Sequence, residues 1–111
     1  MRKRVVLYRA VPEDVLEGLR ARFDVTVFEH VNEANRALFV DALRTAHGIM
    51  GNTLKITSAL LDAAPLLEAA STISAGYDAF DVDALTRRGI VLTNTPDEVS
   101  ETTADLVFAL L

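Results

Sequence analysis

Short runs of β-branched and aliphatic residues alternate along this chain with longer segments whose apolar residues follow the helical period. This alternation is typical of a parallel sheet whose strands are joined by crossover helices. The apolar runs at residues 5–8, 25–28, 47–50, 69–73 and 90–92 predict five strands. In a chain of 111 residues, the pattern favours an α/β, flavodoxin-like doubly wound parallel sheet with strand order 2-1-3-4-5.

The segments between the first strands predict amphipathic helices. The first helix is expected to begin at Pro12, since proline suits a first helical turn. Its apolar face comprises Val15, Leu16, Leu19 and Phe23. The second is expected to begin near Asn32, and its inward-facing residues are Leu38, Phe39, Ala42, Leu43 and Ala46.

The later helices carry clearer end signals. The third contains Ile56, Leu60 and Leu61 and is expected to stop near Pro65. The fourth has Asp81 at its N-cap, two arginines in its last turn and Gly89 just past its end. A last helix follows Pro96 and Ser100, and its apolar residues, Ala104 and 106–111, end without a cap. This ending predicts that the sequence is cut within a longer protein.

The composition limits the classes of function. A net charge of −5 argues against nonspecific nucleic-acid binding, which needs a surplus of Lys and Arg. The sequence has no cysteine, which excludes disulfides and thiolate metal sites. Neither a signal peptide nor an apolar run of about 18 residues is visible. The expectation is a soluble cytoplasmic protein without membrane or nucleic-acid partners.

In an open α/β sheet, ligands bind beyond the carboxyl ends of the strands, where the strand order reverses. Three loops should reach that crevice, at residues 9–11, 51–53 and 74–78. In the last of these, Ala75 and Gly76 could offer backbone amides to a carboxylate. On spacing alone, an alternative stays open: Gly76 permits a tight turn and Asp78 caps the helix or turn that follows.

Other chemistries find little support in the sequence. His30 is expected at the surface and His47 in a structural position at the start of a buried strand. The two histidines show no metal-ligand spacing, and no dinucleotide fingerprint, P-loop or nucleophile elbow occurs. Residues 9–13 lack the small polar residues of a flavin phosphate loop, and Gly51-Asn52 stands where a receiver domain needs an aspartate.

The segment STISAGYDAFDVDALTRRG at residues 71–89 closely resembles the D-isomer-specific 2-hydroxyacid dehydrogenases. IVLTNTP at 90–96 and ETTADL at 101–106 continue the resemblance. Residues 5–12 and 60–65 fit the branch of glyoxylate/hydroxypyruvate and 2-ketogluconate reductases. The resemblance implies a substrate-binding lobe at residues 1–98, followed at 99–111 by the start of a helix that crosses to a cofactor-binding domain.

The resemblance also implies roles for particular residues. Ala75 and Gly76 match the family's amides that hold the substrate carboxylate, and Gly51 and Asn52 match a second wall of the substrate site. Thr103 matches a position near the nicotinamide of the cofactor, although an ordinary first-turn helix residue would look the same. The family's dinucleotide fingerprint and its catalytic Arg, Glu and His would lie beyond Leu111.

The implied parent enzyme interconverts 2-keto and D-2-hydroxy acids with NAD or NADP and forms a homodimer. The 111 residues by themselves are expected to lack turnover and to bind no cofactor tightly. The apolar face of the terminal helix could still drive self-association. Two alternatives stay open: a stand-alone, non-catalytic flavodoxin-like module for regulation or binding, and a receiver-type signalling domain.

Overall fold

The computed structural model describes residues 2–51, 56–73 and 81–95. Five strands form one parallel sheet in the order β2-β1-β3-β4-β5. Their bounds are β1 Arg4–Leu7, β2 Asp24–Val27, β3 Gly48–Gly51, β4 Ala69–Ile73 and β5 Val91–Thr95. The expected strand order is confirmed, and each strand begins within one residue of its predicted position.

Four helices connect the strands: α1 Glu13–Arg20, α2 Arg36–Leu43, α3 Ser58–Asp62 and α4 Val82–Arg87. Two of them have side-chain caps. Thr57 Oγ1 accepts a hydrogen bond from the Leu60 N–H at 3.2 Å, and Asp81 Oδ1 accepts one from the Ala84 N–H at 3.0 Å. Gly89 follows α4 with φ of 70°, a left-handed conformation that ends the helix at little steric cost. The end signals predicted for α4 are confirmed.

Alternate residues of the strands build a core on each face of the sheet, as the two-residue period of a strand requires. On one face, Val5, Leu7 and Met50 pack with Val15 and Leu19 of α1. The opposite face carries the larger core, in which α2, α3 and α4 cover β1, β3 and β4; its members include Val6, Tyr8, Phe39, Leu43, Ile49, Leu61, Ala70 and Leu85.

Two expectations about α2 are wrong. The helix begins at Arg36, because Asn32 instead closes a polar turn in which its Oδ1 accepts from the Ala34 N–H at 2.9 Å. Leu38 does not face inward, since it is 67% exposed while Phe39 is fully buried. Phe39 and Leu43 are four positions apart and define the buried stripe, and Leu38 lies outside it.

Candidate functional site

The strand order places the topological switch point between β1 and β3. At the carboxyl ends of these two strands, Tyr8 directly follows β1 and Gly51 is the last residue of β3. The β1–β3 ladder extends past the assigned strand, because the Tyr8 N–H donates to the Met50 carbonyl at 3.0 Å. Gly51 is in register with Thr72 of β4. This carboxyl edge is where a ligand of a doubly wound fold is expected.

Gly51 is the one candidate site residue that the structure describes. It is buried at the last position of β3, directly beside the ring of Tyr8. A Cβ atom at position 51 would lie 2.4 Å from Tyr8 Cδ2 and 2.5 Å from Tyr8 Cε2, closer than real contacts allow. The glycine therefore has a packing reason that the sequence did not reveal. Asn52, Ala75, Gly76 and Thr103 lie outside the described residues.

Tyr8 belongs to the core on the larger face. Its side chain is 3% exposed and meets Phe39 edge to face, with ring centroids 5.8 Å apart. Burial raises the pKa of the Tyr8 phenol above its ordinary value, so the group stays protonated over the whole physiological range. Its buried hydroxyl has no hydrogen-bond partner within the described part of the chain.

Two more polar groups near this edge are buried without partners. Thr72 is 1% exposed, and its Oγ1 finds no partner in the described ranges. The same holds for Nη1 of Arg9, the residue that directly follows Tyr8. A buried polar atom that loses water without gaining a partner costs about 1–3 kcal/mol, so native structures rarely leave one unpaired.

Sequence reasoning did not single out Tyr8 or Thr72, and it considered Arg9 only as part of a loop. A tyrosine and a threonine inside apolar runs are ordinary strand residues. The available signal was their position: each stands at or near the carboxyl end of its strand, on the side of the predicted crevice.

The histidines lie where the sequence predicted. His47 is 6% exposed, and its Nδ1 accepts a hydrogen bond from the Arg4 N–H at 2.9 Å. His30 is exposed at the surface. Within residues 2–51, 56–73 and 81–95, no three His, Asp or Glu side chains are placed to hold a metal ion. Over the same ranges, no helix is long and apolar enough to cross a membrane.

The chain belongs to a family of oxidoreductases with this architecture. Residues 5–109 match the family described as "D-isomer specific 2-hydroxyacid dehydrogenase, catalytic domain". The chain is 46% identical over all its 111 residues to glyoxylate/hydroxypyruvate reductase B of Yersinia enterocolitica, and 43% identical to that of Enterobacter sp. strain 638. It spans about a third of the length of these relatives, 34% in each case.

Solved structures agree with this assignment. A 2-hydroxyacid dehydrogenase from Ketogulonicigenium vulgare superposes with a TM-score of 0.68 at 35% identity, covering 87% of this chain and 31% of that one. The NADPH-dependent glyoxylate/hydroxypyruvate reductase of Sinorhizobium meliloti, in complex with NADP and malonate, gives 0.62 at 32% identity. That match covers 87% of this chain and 29% of the Sinorhizobium chain. The family resemblance of residues 71–106 is thus confirmed.

Proposed function

We propose that this chain is the substrate-binding lobe of an NAD(P)-dependent 2-hydroxyacid dehydrogenase that interconverts small 2-keto acids and D-2-hydroxy acids. Substrates of the glyoxylate, hydroxypyruvate and 2-ketogluconate type fit this proposal. The observation that carries it is the 46% identity, over the whole chain, to a curated glyoxylate/hydroxypyruvate reductase. In this proposal residues 1–98 form the lobe, and residues 99–111 begin the helix to a second, cofactor-binding lobe.

The proposed task of this lobe is to hold the carboxylate of the substrate. Backbone amides of Ala75 and Gly76 would donate to its oxygens, because a glycine-containing loop lets the backbone approach a ligand closely. Gly51 and Asn52 would form a second wall of the same site. A carboxylate held in this way keeps the adjacent 2-keto carbon in a fixed position, which is how orientation contributes to the rate.

The described residues do not fit a dinucleotide. Its pyrophosphate is normally held at a glycine-rich turn that opens a helix. Here β1 leads through Arg9 to Pro12, which has no N–H, and α1 opens with Glu13 and Asp14, which repel phosphate. The cofactor, which supplies or accepts the hydride, would therefore be bound mainly by the second lobe. Thr103 is the residue of this chain that we place near its nicotinamide.

The decisive test is the full-length protein that carries this chain. We expect it to oxidise NADH or NADPH in the presence of glyoxylate or hydroxypyruvate, and we expect the isolated 111 residues to show no turnover. Absence of activity in the full-length protein with every 2-keto acid tried would refute the proposed reaction. Clear turnover by the isolated chain would refute the assignment of the catalytic groups to another lobe.

A second test addresses the carboxylate site directly. In the isolated chain labelled with ¹⁵N, addition of hydroxypyruvate at millimolar concentration should shift the amide signals of Ala75 and Gly76. The amide of Gly89, which donates to the Thr86 carbonyl at 3.1 Å, serves as the control and should not move. Equal shifts at all three amides would contradict a specific site. Light scattering on the full-length protein tests the homodimer that we expect.

A further inference from the structure

Tyr8 and Gly51 occupy neighbouring strands at the carboxyl edge, and their contact is unusually close. The Tyr8 ring lies where a side chain at position 51 would stand, with Cγ, Cδ2 and Cε2 all 2.4–2.5 Å from an ideal Cβ. Each of the two residues therefore limits which residue types can occupy the other position. An intact ring at position 8 requires glycine at position 51, and any larger residue there would displace either the ring or the end of β3.

The ring cannot easily move aside, because it is held on several sides. Tyr8 packs edge to face on Phe39, and Phe39 packs edge to face on Phe28 with centroids 5.5 Å apart. Its backbone is fixed to β3 by the 3.0 Å hydrogen bond from the Tyr8 N–H to the Met50 carbonyl. Close-packed interiors transmit strain rather than absorb it. A clash at position 51 would therefore shift the end of β3.

The end of β3 is tied in turn to β4. Gly51 pairs with Thr72, and the chain continues from these strands into the two segments to which the candidate substrate residues belong. This pairing fixes Gly51 relative to Thr72 near the carboxyl ends of β3 and β4. A displacement of about 1 Å at a binding site can cost about a hundredfold in rate.

We propose that Tyr8 is a positioning residue for the candidate substrate site, whose ring, packed over Gly51, fixes the position of Gly51 at the end of β3. The proposal rests on the proposed function. Tyr8 acts through Gly51 and does not itself contact the substrate. The ring is the part of the side chain that matters for this role.

Four variants of the full-length protein test this role by steady-state kinetics with hydroxypyruvate. Gly51→Ala should raise KM about tenfold or more, with a smaller change in kcat, because substrate placement is lost first. Tyr8→Leu should raise KM similarly, because Leu lacks the planar ring. Tyr8→Phe should stay within about twofold of the wild type. The double variant Gly51→Ala/Tyr8→Leu should have a KM no higher than that of the worse single variant, since both changes act through the same contact.

Ile49→Val provides the matched control. Ile49 lies two residues earlier on β3, is 1% exposed and belongs to the same core as Tyr8. Its replacement should lower the melting temperature while leaving KM within about twofold, which separates positioning from general loss of stability. Should Gly51→Ala fail to fold, Tyr8→Leu and Tyr8→Phe still test the role of the ring.

Three results would overturn the proposal: an unchanged KM in both Gly51→Ala and Tyr8→Leu, a Tyr8→Phe defect as large as that of Tyr8→Leu, or an equal KM increase in Ile49→Val. Each of them presupposes an active wild-type enzyme, so it counts against the positioning role alone. An inactive wild-type protein counts against the proposed function, and the positioning role fails with it.

Discussion

At the amino edge of the sheet the buried side chain of His47 has a hydrogen-bond partner, whereas at the carboxyl edge the hydroxyls of Tyr8 and Thr72 have none among the described residues. Both edges bury polar groups next to the same strands. They differ in what those groups contact.

His47 ties three strands together at the amino edge. Its N–H donates to the Arg4 carbonyl at 2.8 Å, and its Nδ1 accepts from the Arg4 N–H at 2.9 Å. Its carbonyl accepts from the Glu68 and Ala69 N–H groups at 2.8 and 3.2 Å. Nearby, Lys3 donates to Glu68 in a 2.7 Å ion pair. This edge satisfies its own polar groups and serves the stability of the fold.

At the carboxyl edge, three buried polar groups lack partners among the described residues. The Tyr8 and Thr72 hydroxyls and one Arg9 nitrogen are buried there without partners in the described ranges. A cost of about 1–3 kcal/mol for each such atom is tolerated mainly where further contacts complete the network. The two edges therefore differ in whether their buried polar groups have partners among the described residues. Four measurements on the 111-residue chain test this contrast between the edges.

The largest effect is expected from Gly51→Ala at the carboxyl edge. The added methyl group overlaps the Tyr8 ring and should lower the free energy of unfolding by about 3 kcal/mol, the upper end of the usual cost of overpacking. Urea unfolding followed by circular dichroism measures the change. In a Tyr8→Ala background the same change should cost less, since alanine lacks all three ring atoms that meet the new methyl group.

Gly89→Ala is the control for the combined variants at positions 51 and 8. Its φ of 70° makes alanine cost about 1–2 kcal/mol through the backbone alone, with no side chain within 4 Å to clash. Tyr8→Ala should add to this variant without any such reduction. A reduced cost in both pairs would show that the effect of Tyr8→Ala is not specific to position 51.

The next effect is a pH dependence that comes from the amino edge. Burial, then Lys3, lowers the pKa of His47 from its usual 6.5, Glu68 opposes this shift, and Arg4 adds slightly to it. Below pH 6.5 the unfolded chain therefore binds a proton that the folded chain refuses. The contribution of His47 to stability is fully present above that pH and declines as the pH falls toward the lowered pKa.

Urea unfolding at a series of pH values measures this decline. His47→Gln should remove this component of the pH dependence, while the matched variant His30→Gln, at the exposed histidine, should keep it. An unchanged pH profile in His47→Gln would assign the dependence to other groups.

A smaller effect of opposite sign is expected from Tyr8→Phe and Thr72→Val. Each removes a buried hydroxyl that has no partner in the described part of the chain, so the free energy of unfolding should stay the same or rise by up to about 1 kcal/mol. Thermal or urea unfolding gives the value. A loss above about 1 kcal/mol in either variant would reveal a partner for that hydroxyl and weaken the contrast between the edges.

The smallest effect is expected from Lys3→Gln. The Lys3–Glu68 pair is short, but its side chains are 38% and 43% exposed, so its removal should cost less than about 1 kcal/mol and the difference should vanish at high salt. Arg44→Gln, which breaks the more exposed 3.9 Å pair with Asp41, should cost still less. A larger loss of stability for Arg44→Gln than for Lys3→Gln would mean that exposure does not decide which ion pair contributes more.

Much of the fold follows from the sequence alone, because local rules dictate it. The two-residue period separates Val5 and Leu7 from Val6 and Tyr8 onto opposite faces, and the signals at Asp81 and Gly89 fix both ends of α4. The strand order followed from the alternation of strands and helices, because 2-1-3-4-5 is a common order in doubly wound sheets. The same local rules misplaced the start of α2, because Asn32 is as suited to a polar turn as to a helix cap.

The candidate site was determined partly by the sequence and partly by the tertiary structure. The sequence supplied the loops and the family motif, and it offered Gly51, Asn52, Ala75, Gly76 and Thr103 as site residues, of which the structure describes Gly51. Only the tertiary structure revealed that Gly51 is glycine because the Tyr8 ring lies over it. The physical reason is that the two-residue alternation along a strand determines which face a side chain occupies. The neighbour that the side chain meets depends on strand order, register and ring orientation, which are properties of the assembled sheet.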